Sequence, residues 1–269
     1  MGLFSRNFNK PGPGVSKDEP RKKGAARFFE LLFRDLGDLV KLNLLFCLCA
    51  APSFIVFMAG ILGFYTLFAI ALSLILAFPI GGAMVSYVYY ITKMMRDDPS
   101  YVWYEFKRKF LENFKQAAPV GMLCAAFIYA QVLLWDSLLF SQAGVDLLWF
   151  LIAIMSLLLF GMISPYIFMH LAYIDLGTFK IFKNSILMTF GYFPRSFMGA
   201  LLGGILWIIF ILFIPDSIMV FPLMLLIGAS ISILMCLSWV WKPFNEYFKV
   251  EETLIEKEKE KEKEMESAD

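Results

Sequence analysis

The sequence predicts an all-α, polytopic membrane protein of six transmembrane helices, and three observations predict it. All 24 lysines and arginines fall into four separated blocks. The chain is 59% hydrophobic and 17% charged, against roughly 45–50% and about 25% in an average soluble domain. Segments of helical periodicity, with charges every three or four residues, lead into the apolar stretches between those blocks.

A spanning helix needs about 20 apolar residues, because the hydrocarbon core is roughly 30 Å thick and each helical residue rises about 1.5 Å. The run Leu42 to Thr92 has room for two spans, with a tight turn near Gly60 to Tyr65. Gln116 to Trp135, Leu147 to Ile174, Ser196 to Pro215 and Ser217 to Trp241 supply four more. The connections holding Lys93 to Lys115 and Lys180 to Arg195 alternate with connections whose charges are Asp136, Asp146 and Asp216. The positive-inside rule then places both termini and both basic islands in the cytoplasm. Trp135 and Trp149 fall near the outer interface, and Trp239 and Trp241 near the inner one, as belt aromatics that anchor the spans.

Three amphipathic segments stand beside these spans. Charges at Arg27, Glu30, Arg34, Asp38 and Lys41 leave Phe28, Phe29, Leu32, Phe33, Leu36 and Val40 on the remaining surface of a helix over Arg27 to Lys41. From Trp103 to Lys115 the set Trp103, Phe106, Phe110 and Phe114 has helical spacing, with Lys107, Arg108, Lys109 and Lys115 facing anionic headgroups at the inner interface. Phe179, Phe182, Ile186 and Phe190 mark the third segment. Each precedes a pair of spans, which reads either as a threefold repeat of interfacial helix plus helical hairpin or as three generic amphipathic lead-ins. Residue identities between the three match poorly.

Composition divides the chain into a cytoplasmic Pro/Gly-rich and basic segment at 1–24, a membrane domain at 25–250 and a charged cytoplasmic tail at 251–269. Within the spans Pro52, Pro79 ahead of Gly81 and Gly82, Pro165 after Gly161, and Pro222 are expected to kink helices and free carbonyls. Gly199 and Gly203, with Gly204 beside them, form a small-residue stripe suited to close helix packing. The Glu/Lys alternation of the tail reads as a solvated helix or disordered strand.

The chemistry the residues offer is sparse. A coupled transporter keeps an ionisable relay at mid-membrane, and none is visible in these spans; the intramembrane polar candidates are Gln131 and His170, the single histidine. His170 is expected to be a hydrogen-bonded packing residue. Zinc-protease spacing, a nucleophile elbow, a phosphate-binding glycine loop and paired intramembrane aspartates are missing, so no enzyme, catalytic residue, cofactor or metal is expected. Cys47, Cys49, Cys124 and Cys236 all sit in apolar runs and read as buried small hydrophobes, with a metal or redox pair at Cys47 and Cys49 the weaker alternative. A net charge of +1 gives no field to attract nucleic acid. The first apolar run follows a long polar segment, so no cleavable signal peptide is expected, and Arg6 stands where a myristoylation pattern needs Ser or Thr.

At the N-terminus, Pro11, Gly12, Pro13 and Gly14 fix an extended or turned chain ahead of Arg21, Lys22 and Lys23. Lipid attraction needs only the charges, so this arrangement predicts a protein contact. The stretch from Phe8 to Val15, followed by Arg21-Lys22-Lys23-Gly24 and Phe28-Phe29, resembles the opening of the YesL-like bacterial integral membrane proteins. Tyr101 to Ala118, with Glu105-Phe106 and Asn113 to Ala117, is similar too, and Phe182 to Ser185 leading to Phe193-Pro194-Arg195 more loosely so. The likeness covers most of residues 1–245. It implies a bacterial plasma-membrane protein often encoded beside carbohydrate ABC importers, and hence an accessory role with the permease subunits of such an importer; it brings no ligand residues. The Glu-Ala-Ala coupling motif of true ABC permeases is absent from both basic islands, so direct docking of the ATPase is not expected. The alternative is a self-sufficient small-solute facilitator in which the kinks at Pro79 and Pro165, with Gln131 and His170, frame the substrate path.

Overall fold

The computed structural model describes residues 22, 24–63, 66–98, 100–140, 146–212, 224–256 and 259–260. The N-terminal positions Pro11, Gly12, Pro13, Gly14, Arg21 and Lys23, the span end at Pro215, Asp216, Pro222 and most of the tail lie outside them. No strand forms among the described residues.

The first helix, α1 (Ala25–Arg34), turns its apolar side onto the bundle. Leu31 is 1% exposed, and Phe28 and Leu32 pack beside it. The expected helix over Arg27 to Lys41 is in fact broken at Asp35, where a second helix, α2 (Leu36–Ile61), begins. Asp35 is a poor interior residue because its carboxylate competes for local donors. Here it takes the Arg34 guanidinium at 2.7 Å, while its carbonyl accepts from Asp38 N–H and Leu39 N–H at the start of α2. Pro52 sits inside α2 without ending it. Beside it the Ser53 hydroxyl donates to Ser73 O at 2.7 Å and meets the Tyr129 hydroxyl, tying three helices together.

Where the second span is expected, two helices, α3 (Thr66–Leu76) and α4 (Phe78–Met95), meet at Ala77 with a bend of 41°. Pro79 occupies the first turn of α4, where its missing N–H is one that no helix satisfies, and the expected kink is the 41° bend just before it. The α4 helix then runs against α5 (Val102–Phe140), a single helix of 39 residues. The interfacial segment Trp103 to Lys115 and the third span, expected as separate elements, are therefore continuous, with Pro119 carried inside. At about 1.5 Å per residue α5 is roughly 58 Å long, well beyond the roughly 30 Å hydrocarbon core. The two helices cross at glycines: a Cβ added to Gly81 would stand 1.8 Å from Ala117 O, and one added to Gly121 would stand 2.1 Å from Gly81 N.

After Asp146, whose carboxylate caps Leu148 N–H at 2.9 Å, α6 (Leu147–Tyr173) runs unbroken through Pro165. The Thr189 hydroxyl reaches Met162 O at 3.2 Å, a side-chain donor one turn before that proline. The amphipathic α7 (Thr178–Gly191) meets α8 (Phe193–Leu212) at 98°. A π-helical turn, Met224–Gly228, leads into α9 (Ala229–Phe248). Gly199 and Gly203 of α8 face α9, where added Cβ atoms would come 3.1–3.2 Å from Val240 Cγ1, Cys236 O and Ser232 O. Trp239 is exposed, but Trp241 is buried, packed against Tyr173 and Phe244 rather than standing in a belt. At the other end, Trp135 packs edge-to-face on Phe150 and Trp149 is exposed.

The chain is thus an all-α polytopic membrane protein. Among the described residues, helices α2, α5, α6 and a segment from Leu226 to Phe248 are each long and apolar enough to cross a membrane, and the number rises to six where each of the two bent pairs is counted as one span. The three amphipathic segments fall in α1, the start of α5 and α7. The junctions differ: a break at Asp35, no break in α5, and a right-angled bend at Tyr192.

Candidate functional site

Charged side chains gather where α1, the C-terminal end of α4 and the first turns of α5 come together. Asp97, in the connection between α4 and α5, has a left-handed backbone (φ 62°) that ordinary residues avoid and Asp tolerates. Its two carboxylate oxygens receive Arg34 Nη1 and Arg27 Nη2, each at 2.6 Å. Burial alone would raise the Asp97 carboxyl, but the two guanidiniums outweigh it and hold it below its ordinary value. One carboxylate thereby fastens both ends of α1 to the loop. Arg27 also reaches Glu30 at 3.2 Å.

A second ion pair lies beneath the first. Among the described residues Glu105 is a buried carboxylate, 6% exposed. It accepts from Lys93 Nζ at 2.8 Å and from Arg108, one turn along α5. Arg108 also donates to the Tyr89 hydroxyl at 3.1 Å, and Lys109 Nζ stands 4.7 Å from the centre of the Tyr89 ring. Arg96 lies over the rings of Tyr173 and Trp241 at 5.5 and 5.6 Å. Around this lattice Phe33 (72% exposed) and Tyr101 (86% exposed) stand clear of the bundle, as do Phe29, Trp103 and Tyr104. Spacing alone did not single out Glu105 as a buried group. The available signal was a glutamate one turn from Arg108 and twelve residues from Lys93, on facing ends of a hairpin.

Behind the lattice, the Tyr87 hydroxyl donates to Asn43 Oδ1 at 2.8 Å, and Ser230 donates to Leu39 O at 2.6 Å through its hydroxyl and to Asn43 Oδ1 at 3.2 Å through its N–H. All three side chains are buried, so α2, α4 and α9 share one satisfied polar knot.

The intramembrane candidates are placed apart. Gln131 donates to Ser156 of α6 at 2.8 Å, and its Oε1 has no hydrogen-bond partner among the described residues. His170 is fully buried, with Nδ1 2.7 Å from Tyr166 O, a contact that carries a hydrogen bond when the proton sits on Nδ1. The Ser185 hydroxyl is 3.2 Å from the same nitrogen, and Phe244 and Phe248 pack edge-to-face on the ring at 5.1 Å, leaving Nε2 without a hydrogen-bond partner among the described residues. Ser156 and His170 are nearly four turns apart along α6, roughly 21 Å, so Gln131 and His170 do not share a site. Of the N-terminal candidates the structure describes Lys22, whose Nζ is 4.0 Å from Glu30. All four cysteines are free, and among the described residues no group of three His, Cys, Asp or Glu side chains could hold a metal ion.

What the arrangement can do chemically is hold a rigid, ion-paired face rimmed by exposed aromatics at one end of an apolar bundle. Compared with known proteins, the chain matches no family model, no curated protein and no solved structure.

Proposed function

We propose that this chain is a non-enzymatic accessory subunit of a carbohydrate ABC importer in the bacterial plasma membrane, with both termini and the ion-paired face in the cytoplasm. The observation that carries this reading is the face itself. Asp97 and Glu105 lock α1 and the α4–α5 turn into one surface, and exposed aromatic side chains such as Phe33 and Tyr101 project from it. Aromatic and arginine groups on a rigid support are the composition of a protein contact. The kind of partner rests on the resemblance of residues 8–15, 21–24 and 101–118 to YesL-like proteins, and the orientation on the segregation of basic residues.

A facilitator reading gains nothing from the geometry, since Gln131 and His170 lie in separate clusters and each is bound to a neighbouring helix. Sugar uptake tests the choice. Cells lacking this protein should import the sugar of the associated transporter more slowly, while liposomes holding only this chain should move none. Uptake by the chain alone overturns the proposal.

A further inference from the structure

A groove of about 510 Å³ opens between α2 and the start of α5. Leu44, Leu45 and Leu48 line it from α2, Val102 and Trp103 from α5, and Lys41 stands at one end. We infer that this groove holds one acyl chain of a bilayer phospholipid whose phosphate sits on Lys41, in the leaflet on the α1 side. The inference is independent of the partner proposed above.

The polarity along the groove carries the argument. Lys41 is the last basic residue before the uncharged run Leu42 to Thr92, and Leu44 to Leu48 belong to a helix long and apolar enough to span. The groove therefore starts at the boundary where headgroups lie and continues into hydrocarbon, as a phospholipid does. The ammonium is held at that boundary. Lys41 Nζ donates to Asp38 Oδ1 at 2.9 Å, and Asp38 Oδ2 accepts from the Tyr90 hydroxyl, also at 2.9 Å, which fixes the carboxylate against α4. An exposed lysine with one proton engaged keeps two more for a phosphate, and its stem lies along the leucines. Trp103, the exposed wall on α5, adds an amphipathic ring of the kind that favours the headgroup level. The groove calls for an anionic group at the Lys41 ammonium and an apolar chain along the floor. A phospholipid brings both.

The test is native mass spectrometry of the full-length protein, delipidated in detergent and titrated with dioleoyl phosphatidylglycerol. The wild type should retain one phospholipid after the others are stripped. Leu48→Trp, which fills the groove from a position exposed enough to tolerate the ring, should cut retention about tenfold, whereas Leu148→Trp at the far end of α6 should not. Lys41→Gln should weaken retention of dioleoyl phosphatidylglycerol and leave retention of dioleoylglycerol, which lacks the phosphate, unchanged. Equal retention by wild type, Leu48→Trp and Leu148→Trp overturns the inference. So does a co-purified polypeptide that protects Trp103 while no phospholipid is retained, and an equal effect of Lys41→Gln on both lipids removes the phosphate contact.

Discussion

Lys93 and Glu105 face each other at 2.8 Å across the turn between α4 and α5, with both side chains almost withdrawn from solvent. Removing one partner of such a pair leaves the other charged and buried, which costs about 3–5 kcal/mol. Lys93 also has Asp98 at 3.5 Å, and Arg108 has Glu112 at 3.4 Å, so the cost here falls at the lower end. Glu105→Gln should destabilise the protein by about 3 kcal/mol in thermal unfolding followed by circular dichroism in detergent. Lys93→Met combined with Glu105→Leu should recover most of that loss. A double variant as unstable as the sum of the singles would mean the pair is not acting as a unit.

The backbone crossing of Gly81 and Gly121 leaves no space for a methyl group. Gly81→Ala must push α4 away from Ala117 O, and overpacking of this kind costs about 1–3 kcal/mol or more. Gly204→Ala meets nothing within 4 Å and should be neutral or stabilising by up to about 1 kcal/mol through helix propensity. Gly199→Ala and Gly203→Ala, with neighbours at 3.1–3.2 Å, should fall between the two. Ranking the melting temperatures of the four variants checks the order.

The attachment of α1 to the loop should show a defined response to pH. The folded Asp97 carboxyl is held below its ordinary value of 3.8, so its contribution is fully present above that value and fades as the pH falls through the lower, folded one. Hydrogen exchange of the α1 amides, corrected for intrinsic rates, should therefore not change between about pH 5 and 8. Asp97→Asn should speed it at all of these values, because Asn keeps the left-handed backbone but loses the charge that Arg27 and Arg34 share. Unchanged exchange in Asp97→Asn would detach the two bridges from any role in holding α1.

The proposed orientation is checked by labelling single cysteines from outside the cell. Ser141→Cys, in the connection between α5 and α6, should react with a membrane-impermeant maleimide, and Lys107→Cys should react only after lysis. The opposite pattern reverses the protein and removes its ion-paired face from the cytoplasm.

Much of this architecture can be read from the chain because membranes impose simple rules. The separation of basic residues marks the ends of the spans, and the three-to-four-residue recurrence of Arg27, Glu30 and Arg34 marks α1. The break at Asp35 is not legible in the same way, since the recurrence of Arg34, Asp38 and Lys41 runs straight through it and hides the local competition of the Asp35 carboxylate for donors. Proline alone does not say how a helix responds: Pro79 follows a 41° bend and sits in a first turn, whereas α2 and α6 continue as helices through Pro52 and Pro165. Gly199 and Gly203 stand out as a stripe on one helix. The tighter contact of Gly81 with Gly121 joins two helices through one glycine each, a pattern that no spacing reveals. Glu105 reads as an interfacial charge until α4 is seen lying over it with Lys93.

The most direct measurement is purification of the tagged protein from its native membrane in mild detergent, with co-purifying proteins identified by mass spectrometry. The account predicts that the permease subunits of a sugar importer are enriched with the wild type. Their recovery should fall when residues 7–15 are deleted with Arg21 to Arg27 kept, and also in Phe33→Glu, which alters the exposed edge of α1, while insertion in the membrane is preserved. Recovery of no permease from membranes that contain one, or equal recovery with wild type and both variants, would contradict it.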